Sequence, residues 1–361
     1  MNSSEISRLF AQAELLRRKS SYTEALRTFR AALKKSIAAR DIHASVACLL
    51  SIGDVCRMTG DFVNAEKAYV KAVTEAGKIA DAEAAADAHA GWGLSRRGRG
   101  DWRLGIVLLR KALQFYRKKR DREGTAFTLW SIAGALRIKG DIPLALEMYQ
   151  DAFKVFQSFR SHAGVGYCLC GLGGTSRIAG RFGDSLAYYQ SANALFRKLN
   201  DTFGTAYSYC GIGNAYRMAG EYRKALASFS KASRLYRKIG DRVSYAYTLW
   251  SIGTTHKMLL DPLSARSYFN AARELFKKTK DPRGLIYCQL AYGEIAMLKG
   301  HGRKAEKYFR DSLEQAKRYG FRVEQCHATM LISYLAGKKK PLCYNSLGVR
   351  LKFTEAPFNI P

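Results

Sequence analysis

The sequence predicts an all-α protein, a right-handed superhelical solenoid of helix-turn-helix repeats. Three observations lead there. The decamer Gly211 to Gly220 returns at a spacing of 40 residues, backwards as Gly171 to Gly180, Ser131 to Gly140, Gly91 to Gly100 and Ser51 to Gly60, and forwards as Ser251 to Leu260 and Ala291 to Gly300. Glycine stands at fixed intervals where helices should end. Small and large apolar residues alternate at helical spacing between those ends. A period of this length is the mark of a stack of two-element units, each burying its apolar face against the next.

In each unit the first helix is closed by Gly60, Gly100, Gly140, Gly180, Gly220 or Gly300, where a left-handed residue is least strained as glycine. Asp61, Asp101, Asp141 and Asp261 follow and are suited to accept from the open amides of the second helix. Asp41, Asp81, Asp121, Ser161, Asp201, Asp241 and Asp281 do the same for the first helices. Pro262 and Pro282 fall in a first turn, where proline is tolerated. Inside the first helix Gly53, Gly93, Gly173, Gly213, Gly253 and Gly293 recur, with Ala133 in the remaining unit. Glycine in mid-helix costs about 1 kcal/mol against alanine, so close approach of the partner helix is expected there. In the second helix a large position (Phe29, Tyr69, Leu109, Tyr149, Tyr189, Phe229, Phe269, Phe309) is followed by a small one (Ala32, Ala72, Ala112, Ala152, Ala192, Ala232, Ala272). Such alternation lets antiparallel helices interdigitate.

This pattern resembles the tetratricopeptide repeat family in its 40-residue variety, and Gly213-Asn214-Ala215-Tyr216 is most similar to the repeats of Leu-Gly-Asn/Pins-type adaptors. The resemblance covers residues 1–336: about eight 40-residue units plus a C-terminal capping helix over 321–336. Residues 337–361 read as a basic, extended or partly disordered tail. The family's asparagine after the glycine occurs only as Asn214. Its equivalents are Asp54, Leu94, Gly134, Gly174, Thr254 and Glu294.

A formal charge of +30 predicts salt-sensitive attraction to an anionic partner. Part of it forms a column: Arg57, Arg97, Arg137, Arg177, Arg217 and Lys257, with Arg17 one period earlier. On a helical wheel these lie to one side of the core face. The resemblance implies that this flank lines a concave groove. Three readings of the column are open: stems covering apolar surface, pairs with neighbouring acids, or contacts to a ligand. Ligand contact is favoured, because the first helices over 162–179, 202–219 and 242–259 carry no Asp or Glu. Beside the cations runs a second column with Phe127, Tyr167, Tyr207, Tyr247 and Tyr287, joined by Trp130 and Trp250. These rings suit inter-repeat packing at least as well as ligand stacking. Basic residues ending the second helices, such as Arg117-Lys118-Lys119-Arg120, fit the helix dipole.

The eight cysteines include repeat columns (Cys48, Cys168, Cys288; Cys170, Cys210) and read as reduced packing residues of a cytoplasmic protein. No His/Cys spacing suits a metal, no catalytic set stands out, and neither cofactor nor enzyme is expected. No signal peptide or membrane-spanning run is visible. The chain is therefore expected to be an adaptor or scaffold. Its groove would bind an acidic, extended segment of a partner protein through the arginine and lysine column, Asn214 and the rings. Single-stranded nucleic acid (RNA) is the alternative occupant, since basic grooves with aromatic platforms serve that purpose. An anionic membrane surface is the least favoured partner.

Overall fold

Every turn between successive helices is two or three residues long, which forces the neighbours to run antiparallel. The computed structural model describes residues 2–338, 342–351 and 356–360. Contacts divide the chain into two units, residues 1–132 with 238–242, and residues 133–237 with 243–361.

In the first unit lie α1 (Asn2–Arg18), α2 (Tyr22–Ala38), α3 (Ile42–Met58), α4 (Phe62–Lys78), α5 (Ala82–Gly98) and α6 (Trp102–Lys119). The division falls within α7 (Arg122–Lys139). Then follow α8 (Ile142–Ser158), α9 (His162–Ile178), α10 (Phe182–Lys198), α11 (Thr202–Met218), α12 (Tyr222–Ile239), α13 (Arg242–Met258), α14 (Pro262–Thr279), α15 (Pro282–Leu298), α16 (Gly302–Tyr319) and α17 (Arg322–Leu335), and a 3₁₀ turn, Leu342–Leu347. Among the described residues there is no strand, and no helix is long and apolar enough to cross a membrane. Each unit is a solenoid of helix pairs. Consecutive helices pack on each other from α1 to α6 in one unit and from α8 to α11 and α14 to α17 in the other, and first helices also touch their counterparts one repeat on: α1 with α3 and α3 with α5, α9 with α11 and α15 with α17.

The punctuation follows from local chemistry. Gly60, Gly100, Gly140, Gly180, Gly220 and Gly300 all have positive φ, between 77° and 93°. Asp41, Asp61, Asp81, Asp101, Asp121, Asp201, Asp261 and Asp281 accept from backbone amides of the following first turn, and Ser161 does so at 3.4 Å. Asp141 departs from this scheme: its carboxylate takes the Lys139 ammonium at 3.2 Å instead of capping α8. Other turns force L-residues into the left-handed region, including Ala80, Arg120 and Leu260.

The mid-helix glycines Gly53, Gly173, Gly213, Gly253 and Gly293 are explained by the facing ring, and Gly93 by Leu109 and the Gly105 carbonyl. A Cβ on Gly213 would stand 2.6 Å from Phe229, which is itself wholly buried. Gly253 relates to Phe269 in the same way, at 2.8 Å.

The end of the chain, expected to be an extended or partly disordered tail, has buried residues among those described. Tyr344, Leu347, Val349, Phe358 and Ile360 are buried, and Arg350 donates its amide to Ala179 at 3.0 Å. Of the basic run 338–340, only Lys338 is described. Cys326 of α17 and Cys343 are joined in a disulfide, a correction to the expectation of uniformly reduced thiols. The other six cysteines are thiols, and burial raises the pKa of each. The bridge was illegible because Cys343 lies outside the repeat register, where no column relates it to Cys326.

Candidate functional site

In the first unit the cation column is largely satisfied from within. Arg57 on α3 donates to Asp54 at 3.0 Å and to the Tyr69 hydroxyl at 3.4 Å, and Tyr69 donates to Asp54 at 2.7 Å. Burial opposes the Arg57 charge, but Tyr69 and Asp54 outweigh it and hold the guanidinium above its ordinary pKa. The acid-pairing reading therefore applies here. Arg97 on α5 donates to the Ser131 carbonyl at 3.1 Å and lies 5.9 Å from the Trp130 ring centroid, within cation–π range. Trp130 in turn packs against Phe127.

In the second unit the column is more buried and less paired. The Nε atoms of Arg137, Arg177 and Arg217 are shielded from solvent without a hydrogen-bond partner among the described residues. Arg137 crosses Gly174: a Cβ there would stand 2.6 Å from its Nη1. The glycine that replaces asparagine at 174 thus makes room for an arginine from the preceding repeat. Lys257 relates to the next repeat in the same sense, its Nζ lying 2.7 Å from Glu294, the residue in the Asn214 column.

The tyrosine column mainly joins repeats. Tyr167 donates to Asp201 at 2.7 Å and packs on Phe196, with centroids 4.8 Å apart. Tyr247 bonds Asp281 and packs on Phe276. Tyr287 donates to Glu324 at 2.8 Å and lies 4.9 Å from Trp250. Tyr207 packs against Tyr189 and Phe203. Of the two uses open to these rings, packing is the one their contacts display.

Four of the expected residues converge with three that sequence reasoning did not select. Arg217, with no exposed surface, donates to Asn214 at 3.1 Å, lies 5.9 Å from the Trp250 centroid and donates to the Asn359 side-chain oxygen. Asn359 returns a bond from Nδ2 to the Arg217 carbonyl at 2.7 Å. Lys257 donates to the Phe358 carbonyl at 2.8 Å, and the Phe358 amide donates to Glu294 at 3.1 Å. Burial, followed by the nearby Arg177, pushes the Arg217 pKa down to about 9. Burial also lowers that of Lys257, against the pull of Glu294. Glu294 is one of two acids in the Asn214 column, the other being Asp54, and that was a usable signal for it. Nothing periodic marks Phe358 or Asn359.

The sequence model of the tetratricopeptide repeat matches residues 84–158 and 165–238. A search of curated proteins finds no match. Among solved structures, the Rap conjugation gene regulator of plasmid pLS20 in complex with the Phr* peptide aligns with a TM-score of 0.67 and 12% identity, over 87% of this chain and 96% of that one. A Rap protein complexed with competence and sporulation factor gives 0.60 and 12%, covering 93% and 100%. NprR in complex with its cognate peptide NprX gives 0.56 and 15%, covering 92% and 99%. At such identities the likeness establishes the shared helical-repeat fold.

Proposed function

Residues 84–158 and 165–238 being tetratricopeptide repeats, we propose that the chain is a non-enzymatic adaptor that binds an extended, acidic segment of a partner protein. The groove of this reading is the flank carrying Arg137, Arg177, Arg217 and Lys257. The observation that carries it is the state of Arg137 and Arg177. Both have a shielded, unpartnered Nε, and neither forms an ion pair among the described residues. With no acid among the described residues paired to them, their outer guanidinium N–H groups are left for the carboxylates of a partner, which they can take in bidentate bonds. The two helical-repeat proteins of similar fold that were solved with peptides support a peptide occupant. The rings held between repeats by Asp201, Asp281 and Glu324 weigh against base stacking.

The test uses a fluorescent hexaglutamate peptide, with a single-stranded oligouridylate as the comparison, over a salt series. Arg137→Glu with Arg177→Glu should weaken hexaglutamate binding at least tenfold while the helical circular-dichroism signal is kept. Unchanged hexaglutamate binding in that variant would overturn the reading. So would oligouridylate binding tightly and with a steep salt slope while hexaglutamate does not bind.

A further inference from the structure

The last described residues of the chain already occupy part of the cationic flank, and how they are held defines a ligand. Phe358 engages the buried Lys257–Glu294 pair only through its main chain, its N–H on Glu294 at 3.1 Å and its C=O on Lys257 at 2.8 Å. One ion pair thus reads the donor and the acceptor of a single residue, which any extended peptide presents. The side chains add selectivity. The Phe358 ring is 1% exposed and meets Tyr334 edge-on at 4.8 Å, and Ile360 is 2% exposed. Asn359 uses both ends of its amide on Arg217: the oxygen accepts from the guanidinium, and the nitrogen donates to the backbone carbonyl at 2.7 Å. A carboxylate there keeps the first bond and loses the second, because it has no hydrogen to donate.

We propose that Arg217, Lys257 and Glu294 form a clamp for a neutral aromatic–asparagine–aliphatic segment. Residues 356–360 fill it in cis, and a partner segment of the same chemistry displaces them. This rests on the groove reading above and refines it: the acid-binding positions are Arg137 and Arg177, and the Arg217–Lys257 end takes an uncharged peptide. A tethered occupant acts at a high effective concentration, so the free site is only a small fraction of the population and apparent affinity for an outside peptide falls by that fraction.

The experiment measures fluorescence anisotropy of a labelled Ala-Pro-Phe-Asn-Ile peptide with three proteins: the full chain, a chain ending at Arg350, and the full chain with Asn359→Asp. The peptide should bind the shortened chain at least tenfold more tightly than the full chain. The Asn359→Asp chain, which keeps the packed segment before it, should show a gain in the same direction. A probe with Asp in place of its Asn should bind the shortened chain at least tenfold more weakly than the parent probe. Equal affinity for full and shortened chains, or indifference to the Asn-to-Asp change in the probe, would overturn the clamp. Hexaglutamate with the Arg137→Glu/Arg177→Glu variant reports the acidic groove separately. Pentapeptide binding without hexaglutamate binding leaves the clamp and removes the acidic partner; the converse removes the clamp alone.

Discussion

Lys257 Nζ lies 2.7 Å from Oε2 of Glu294, and the two side chains are 3% and 1% exposed. A buried pair of this kind is held by mutual dependence, since either charge alone is left in a medium that solvates it poorly. Glu294→Ala should cost about 3–5 kcal/mol by leaving the Lys257 ammonium uncompensated. Lys257→Met combined with Glu294→Met should cost much less, within about 2 kcal/mol of the parent, because neither half of the pair is then left as an uncompensated charge. Urea denaturation of the two variants compares them directly. A double variant as unstable as the single one would mean that the pair contributes more than charge compensation.

Gly213 and Phe229 set the spacing of α11 against α12. Gly213→Ala places a methyl 2.6 Å from a ring that is wholly buried. The expected loss is about 1–3 kcal/mol, typical of overpacking. Gly213→Ala with Phe229→Leu should recover part of it. Thermal melts suffice, and an alanine variant as stable as the parent would show that the ring can step aside.

His327 ties α17 to the 3₁₀ turn through the Tyr344 hydroxyl, at 2.6 Å from Nδ1. Burial, only partly offset by Glu324 and reinforced by Arg283, lowers its pKa from 6.5 to about 4. The unfolded chain therefore takes up the proton first as pH falls. Stability is intact above pH 6.5 and is lost progressively between 6.5 and 4, by up to about 3 kcal/mol. His327→Gln should flatten that part of the stability–pH curve. An unchanged slope in the variant would assign the acid sensitivity to other groups.

Leu260 is 70% exposed and held at φ 59°. Left-handed backbone costs an L-residue about 1–2 kcal/mol, partly balanced by the extra unfolded-state freedom that glycine brings. Leu260→Gly should therefore raise stability by about 0.5–1 kcal/mol. The reverse change at the equivalent Gly220, to Ala, should lower it. A fall in melting temperature for Leu260→Gly would show that the side chain makes a contact worth more than the strain.

What could be read in advance was what repeats. The glycine and aspartate punctuation, the large residue opposite a mid-helix glycine and the local Arg57–Asp54 pair all lie within one 40-residue period. The Tyr167–Asp201 bond, at a separation of 34 residues, was also within reach, because tyrosine and cap aspartate sit in two aligned columns. The surroundings of Arg217 were not. Its partner Asn359 lies 142 residues away, in a segment with no periodicity to relate it to any helix. Asp141 misled for a different reason: its neighbour Lys139 offers a full charge that outcompetes a backbone amide.

Asp201 holds two elements with its two oxygens. One accepts the Gly204 amide and starts α11; the other accepts the hydroxyl of Tyr167 from the first helix of the repeat before. Asp281 stands in the same position between Gly284 and Tyr247. The nucleation of one repeat is therefore written into the interface with its predecessor. In a nearest-neighbour lattice description, this moves stability from the intrinsic term of each repeat to the coupling between adjacent ones. Where those bolts occur, repeats should melt together as one block, without the stepwise fraying of a chain of independent links.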